Sequence, residues 1–276
     1  MTQSPAQRQG DPGHRKSEPG HRKSEPDDKE FMTTLAKGLA VLGAFGRLRP
    51  TMTLSEAAGV ADLSRATARR VLRTLTQLGY VAQDGRTFSL APKILELGFA
   101  YLSTQSWIDR ALPLMRELSE RLGESCSAAI LQGNDIVYVA RVPARRIMSA
   151  ALSVGSRLPA LHTALGRVLF GYLDEAEIWR RLMSQRIEAY TPQTITDPQA
   201  LFDRIHADRA QHFSIVDEEL ELGLRALAVP VLDRGGQAVG AINLSTHSTR
   251  TTRNDMREHF LPELNRIAGQ VSSMTV

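Results

Sequence analysis

Cysteine is nearly missing from this chain. Cys126 is the only one in 276 residues, which rules out a disulfide framework and any cysteine-based zinc site. No apolar run approaches the roughly 20 residues that a membrane-spanning helix needs. The N-terminus is polar and lacks an apolar signal core, so the expectation is a cytosolic protein with no membrane partner. Nucleotide signatures are missing too: there is no P-loop and no Gly-x-Gly-x-x-Gly after a strand. Gly123-Glu124-Ser125-Cys126-Ser127 approaches the nucleophile elbow of hydrolases but lacks its final glycine. It also falls between a helix and a strand, the reverse of the context that elbow requires. His206 and His212 are six apart, which does not set them on one helix face as metal ligands. Cys126 has no recognisable partner and reads as a small core residue. No catalytic residue, metal or cofactor is nominated, and a hydrolase is kept only as an alternative.

Hydrophobic content, 42%, is ordinary for a globular protein, and the length suffices for two domains. The net charge of +4 is modest but unevenly spread. Residues 31–103 hold nine basic and four acidic side chains, whereas residues 104–276 hold nineteen and twenty. The positive excess therefore sits in the first folded segment, the footprint expected of contact with a polyanion.

That segment has an ordered pattern from Thr53 to Leu90. Thr53 can cap a short helix, Leu54 to Ala58, and Gly59 to Leu63 is a break. Ser64 is the N-cap of a longer helix, Arg65 to Leu78, which Gly79 ends. Ala68, Val71, Leu72, Leu75 and Leu78 form one apolar stripe at three- and four-residue steps. The opposite face is basic and carries no acid. Tyr80 to Ala82, the turn signal Asp84-Gly85 and Arg86 to Leu90 make a hairpin. Cap, short helix, turn, basic helix and hairpin describe a winged helix-turn-helix, which lays its second helix in the major groove of double-stranded DNA. Arg65, Thr67 and Arg70 are candidates for reading bases. Arg69 and Arg73, with Arg86 at the hairpin tip, suit phosphates, and Ser64 holds the start of the helix at the DNA. The plainer alternative is a solvated basic face on a helical pair that packs against another domain.

Before this unit, Pro12 to Glu18 repeats as Pro19 to Glu25 in a tail with almost no apolar side chains. The tail is expected to be disordered, either a tolerated duplication or an accessory arm. Thr34 to Phe45 reads as a helix capped by Thr34, with Leu35, Leu39, Leu42 and Phe45 on one face. Pro92 suits the first position of a further helix over 91–106, apolar almost all round. Such a helix buries more than one side, in a partner or in its own chain.

Three runs together carry a resemblance: TLAKGLAVLGAF, the Leu54-Ser55-Glu56-Ala57-Ala58 helix, and SRATARRVLRTLTQLGYV. They are similar to the IclR family of bacterial transcriptional regulators, and the likeness extends over about residues 33–272. One departure is Asp62 in the turn, where the family usually has glycine; Asp tolerates a left-handed backbone. The resemblance implies a linker helix over 91–106 that packs in a homodimer or a dimer of dimers. It also implies a GAF-like sensor domain over 107–276, operator DNA as partner, and RNA polymerase as a further partner if the protein activates. A constitutive architectural DNA binder would not need so large a second domain.

The second segment agrees with an α+β domain. Helices are expected over 113–122, 161–173, 175–183, 201–210 and 253–272. Strands are expected over 127–131, 136–140, 148–152, 226–232 and 238–244. Within VGSRLPALHTALGRVLF a helix begins near Thr163, so the first free amides belong to Ala164, Leu165 and Gly166, a ready anion site. The run resembles the effector-pocket helix of the subgroup that senses protocatechuate or 4-hydroxybenzoate. This chain departs from it in placing His162 one position later than the histidine or aromatic of many members. By the same likeness Met148, Thr163, Ala164, Leu165, Asp217, Ala226, Asn243 and Ser245 are the candidate effector-binding residues. Each also has an ordinary structural reading, Met148 as core and Asp217 as a turn residue. The expected function is a ligand-responsive regulator of aromatic-acid catabolism. The competing effector is an aliphatic keto-acid.

Overall fold

The computed structural model of the protein describes residues 30–46, 48–144 and 152–272. The tandem repeat of the tail, and Met148 with its end of the expected strand, lie outside the described residues. The chain divides into two compact units, Met1–Ile94 and Leu95–Val276.

The N-terminal unit contains α1 (Thr33–Ala44), β1 (Thr51–Thr53), α2 (Leu54–Val60), α3 (Arg65–Gln77), β2 (Val81–Asp84) and β3 (Thr87–Leu90). Its strands form one antiparallel sheet in the order β1-β3-β2. Thr53 and Glu56 close a reciprocal capping box at α2, with Thr53 N donating to Glu56 Oε2 at 2.7 Å. Asp62 adopts φ +52°, and the Leu63 amide reaches back to Ala58 O at 2.8 Å, so aspartate makes the turn expected of glycine. Gly79, at φ +81°, ends α3, and the Tyr80 amide bonds Leu75 O. The core joins Val41, Phe45, Met52, Ala57, Leu72, Leu75 and Val81.

Several expectations need correction here. The buried face of α1 is Val41 and Phe45, with Leu42 half-buried; Leu35 and Leu39 are both 57% exposed. Apolar side chains surround that helix, so periodicity alone does not choose a face. Thr34 does not cap it, because α1 starts one residue earlier and its N-cap, Met32, gives no side-chain bond. Leu78 is exposed because it is the C-cap, where the helical stripe has ended. Asp84 pairs with Thr87, so the hairpin loop is Gly85-Arg86, with Gly85 at φ +54°.

Helix α4 (Ile94–Ser103) runs over the point where the units divide, and Pro92 lies in the turn before it. The C-terminal unit continues with α5 (Ser106–Leu122), β4 (Ser125–Gln132), β5 (Asp135–Val142), β6 (Arg157–Pro159) and a 3-10 turn, Ala160–His162. Then come α6 (Ala164–Phe170), α7 (Glu175–Met183), α8 (Pro198–Gln211), β7 (Ser214–Asp217), β8 (Leu224–Leu232) and β9 (Ala238–His247). It ends on α9 (Arg253–Asp255), one π-type turn, and α10 (Leu261–Ser272).

Six strands form an antiparallel sheet in the order β6-β5-β4-β9-β8-β7. Each face has its own core, as alternation along strands requires. On one face Leu227, Val229, Val231, Ile242 and Leu244 meet Trp107, Met115 and Leu118 of α5 and Leu264 and Ile267 of α10. Cys126 belongs to this layer, and burial pushes its thiol pKa up to about 12, as suits an inert core residue. On the other face the central strands supply small residues, Ala129, Ala226, Ala228 and Ala241, which pack toward α6 and α8 together with the larger Ile136, Tyr138 and Val216 of β5 and β7. The architecture is α+β, a helix-turn-helix unit followed by a sheet unit with helices on both faces.

Candidate functional site

Two places gather the candidate functional side chains. The first is the outward face of α3. Arg65, Arg69, Arg70 and Arg73 are exposed on it, and Arg86 is exposed in the hairpin loop. Among the described residues none of the five is in an ion pair. The ion pairs, from Arg121–Glu263 to Arg266–Glu263, all lie in the C-terminal unit. Ser64 and Thr67 are tied to each other at the cap. The Thr67 amide donates to Ser64 Oγ at 3.2 Å, and Ser64 Oγ donates to Thr67 Oγ1 at 2.9 Å. That pair fixes the start of the helix.

The second place is a cavity of about 510 Å³ between the small-residue face of the β4–β9 sheet and the chain entering α6. Its floor is polar because of strand register. Arg141, Ser127 and Asn243 stand side by side on β5, β4 and β9, and Ser125 and Ser245 form the next row. Arg141 is half-buried and donates to Ser127 Oγ at 3.1 Å. No carboxylate pairs with it among the described residues. Arg250, also in the wall, is neutralised by Glu124 through bonds of 2.9 and 3.0 Å. Asn243 Nδ2 donates to Ser245 Oγ at 3.0 Å, while its Oδ1 is buried without a hydrogen-bond partner.

The opposite wall is held by an unusually close turn. Thr163 caps α6, accepting the Gly166 amide at 3.1 Å, and its hydroxyl donates to Ala160 O at 3.2 Å. A Cβ on Gly166 would lie 2.2 Å from Ala160 O, so only glycine lets the turn fold onto the helix. Arg167, fully buried, grips Glu219 with two bonds of 2.8 and 2.5 Å and also donates to Leu161 O at 2.8 Å. This ion pair fastens α6 to the chain after β7. His162 lies between, 3% exposed, with its Nδ1 unpartnered. Burial, and then the nearby Arg167 charge, lower its pKa to about 4, so the ring is neutral at ordinary pH.

Of the residues expected here, Thr163, Ala164, Ala226, Asn243 and Ser245 line the cavity. Leu165 does not: it is fully buried in the core between sheet and helices, because α6 turns that side chain away from the opening. Asp217 does not either, since it is held by Arg225 through bonds of 2.7 and 2.9 Å. The expected anion site at the helix start is reduced, because the Gly166 amide and the Thr163 hydroxyl already have partners within the turn. Sequence reasoning passed over Arg141 and Ser125. The available signal was β4 itself, where Ser125 and Ser127 alternate with Cys126 and Ala128, a polar face on a strand with no exposed side.

Comparison with known proteins places both units. The IclR helix-turn-helix domain matches residues 34–85, and the bacterial transcriptional regulator IclR C-terminal domain matches residues 99–273. The chain is 44% identical over 238 residues to the Pca regulon regulatory protein of Pseudomonas putida, spanning 86% of this chain and 82% of that one. It is 32% identical over 256 residues to the p-hydroxybenzoate hydroxylase transcriptional activator of Acinetobacter baylyi, spanning 89% and 93%. A solved structure from Rhodococcus sp. RHA1 superposes with a TM-score of 0.78 at 42% identity, over 88% of this chain and 98% of that one.

Proposed function

The chain belongs to the IclR family of bacterial transcriptional regulators, and from that premise we propose that it reads an operator as a dimer and responds to an aromatic hydroxy-acid. It is a DNA-binding regulator with an effector domain, not an enzyme. The unpaired arginines of α3 and the hairpin supply the basic surface that DNA requires. Two half-sites need two copies of the reading helix. Helix α4 supports a homodimer or a dimer of dimers: none of its side chains is buried, and Phe99 is 72% exposed. If the protein activates, RNA polymerase is its further partner.

The effector reading rests on one observation above others. Arg141 is a cation in no ion pair among the described residues, set in the floor of a cavity whose other cationic arginine, Arg250, is already held by Glu124; apart from these and Glu221 the lining is apolar or neutral polar. A cavity of this size lies in the range of about 300–1,000 Å³ typical of small-molecule sites. A flat acid fits it, with its carboxylate on Arg141 and its ring against Ala164, Ala226 and Leu158, and the neutral polar groups of the lining are left to take ring hydroxyls. The name of the second relative, a p-hydroxybenzoate hydroxylase transcriptional activator, agrees with a role in hydroxybenzoate metabolism. An aliphatic keto-acid remains the competing effector. A ligand that binds only the folded state raises its melting temperature. Protocatechuate, 4-hydroxybenzoate, benzoate, pyruvate and β-ketoadipate are therefore compared by thermal shift. The expected result is a shift with the hydroxylated ring acids. A shift with the aliphatic acids alone removes the aromatic reading and leaves the regulator in place.

A further inference from the structure

The polar groups of the cavity floor are matched by one buried polar ring in the opposite wall. We infer that His162 is a specificity-determining residue that hydrogen-bonds a hydroxyl at the far end of the effector ring, so that the cavity prefers a hydroxylated ring acid to the bare one. This rests on the effector reading above.

Four observations carry it. His162 lines the cavity and is 3% exposed. Its Nδ1 is buried without a hydrogen-bond partner, a state that native proteins rarely leave uncompensated. The ring makes an edge contact with Tyr190 at 5.2 Å between centroids, and the backbone just before it is held by Arg167 donating to the carbonyl of Leu161. Finally, the ring is uncharged at neutral pH because it is buried beside a guanidinium. A neutral imidazole offers one donor and one acceptor, which suits a phenol and gives little to a carboxylate. The carboxylate is better served by Arg141 in the floor. An acid with its charge on Arg141 and a hydroxyl opposite would meet both walls at once.

Isothermal titration of wild type, His162→Phe and His162→Gln with benzoate and 4-hydroxybenzoate tests this. A net hydrogen bond amounts to roughly a tenfold change in affinity. His162→Phe keeps a flat ring, so 4-hydroxybenzoate should weaken about tenfold while benzoate stays within about threefold. His162→Gln should keep much of the hydroxyl preference. Equal weakening of both acids, or an unchanged ratio, overturns the assignment and leaves the effector reading standing. If wild type binds neither acid, the effector reading fails and takes this one with it. Should His162→Phe not fold, the nitrogen-15 shifts of the wild-type His162 ring decide. Movement with 4-hydroxybenzoate but not with benzoate supports the contact, and the same response to both overturns it.

Discussion

Arg167→Met should destabilise the C-terminal unit severely, and the second substitution Glu219→Met should largely repair it. In the native protein Arg167 and Glu219 are bidentate partners whose side chains are 1% and 9% exposed. Removing the guanidinium leaves a carboxylate out of water with no cation and Leu161 O without its donor. Breaking a buried pair from one side costs about 3–5 kcal/mol, whereas replacing both ions by apolar groups is often neutral. For a domain that unfolds at about 5–15 kcal/mol, a loss of about 3–5 kcal/mol removes from about a fifth to all of the margin. At about 2–4 °C per kcal/mol, the melting temperature should fall by about 10 °C. The only tryptophans, Trp107 and Trp179, both lie in the C-terminal unit. Urea unfolding followed by their fluorescence therefore reports that unit alone. The double variant should return to within about 1–2 kcal/mol of wild type. A single-variant loss below about 1 kcal/mol, or a double variant as weak as the single, would refute the picture of a desolvated clamp.

Arg65→Ala should weaken operator binding by about 1–3 kcal/mol without an equal loss on random DNA, while Arg73→Ala weakens both and flattens the salt dependence; gel-shift titrations at several salt concentrations separate the two. Arg141→Met should weaken any acid effector by about 1.5–3 kcal/mol, the worth of a hydrogen bond to a charged group, and calorimetry that finds no loss moves the carboxylate elsewhere. Ala226→Leu should fill the cavity from its floor, abolishing the effector-induced thermal shift while leaving the unliganded melting temperature equal or higher. Glu263, hydrogen-bonded to Arg121, has its pKa lowered from 4.5 to about 2. A depressed carboxylate stabilises above its unfolded pKa and loses that contribution as pH falls through the folded one. Arg121→Gln should therefore flatten the stability curve between pH 4.5 and about 2, as acid titration of unfolding would show.

The parts of the fold that were legible in the sequence are those where one property varies sharply along the chain. Helix α3 has a basic face and an apolar face, so its length, its Ser64 cap and its Gly79 stop could all be read. Helix α7 was read to the residue for the same reason, with Ile178 and Leu182 alone buried among charged neighbours. Helix α1 offers no such contrast, and its buried face was misassigned to Leu35 and Leu39. The strands β1 and β7 have three and four residues, too few for alternation to register. In the cavity, the resemblance led to Thr163, Ala164, Ala226, Asn243 and Ser245. Arg141 escaped because its role depends on which strands are neighbours. It stands beside Ser127, and Ser127 beside Asn243, only because β4 pairs with both β5 and β9.

The same sheet register explains why there is a cavity at all. Along β8 the order Ala226-Leu227-Ala228-Val229 sends large side chains to one face and methyl groups to the other. On the large-residue face α5 and α10 close a dry core. On the alanine face α6 can lie near the sheet at its C-terminal end, where Val168, Leu169 and Phe170 fill the gap. At its N-terminal end the central strands offer Ala226, Asn243 and Ser245 and the helix offers Thr163 and Ala164, short side chains that leave a space lined on its flanks by Tyr138, Leu158 and Val216. Small side chains alone would invite collapse. The Gly166 turn against Ala160 and the Arg167–Glu219 pair hold the helix start where it is. The stabilising clamp and the ligand-sized space are therefore two results of one arrangement. A ligand that bridges Arg141 and His162 would join the sheet floor to the clamped helix, which is the link through which occupancy of the cavity can be felt by the rest of the unit.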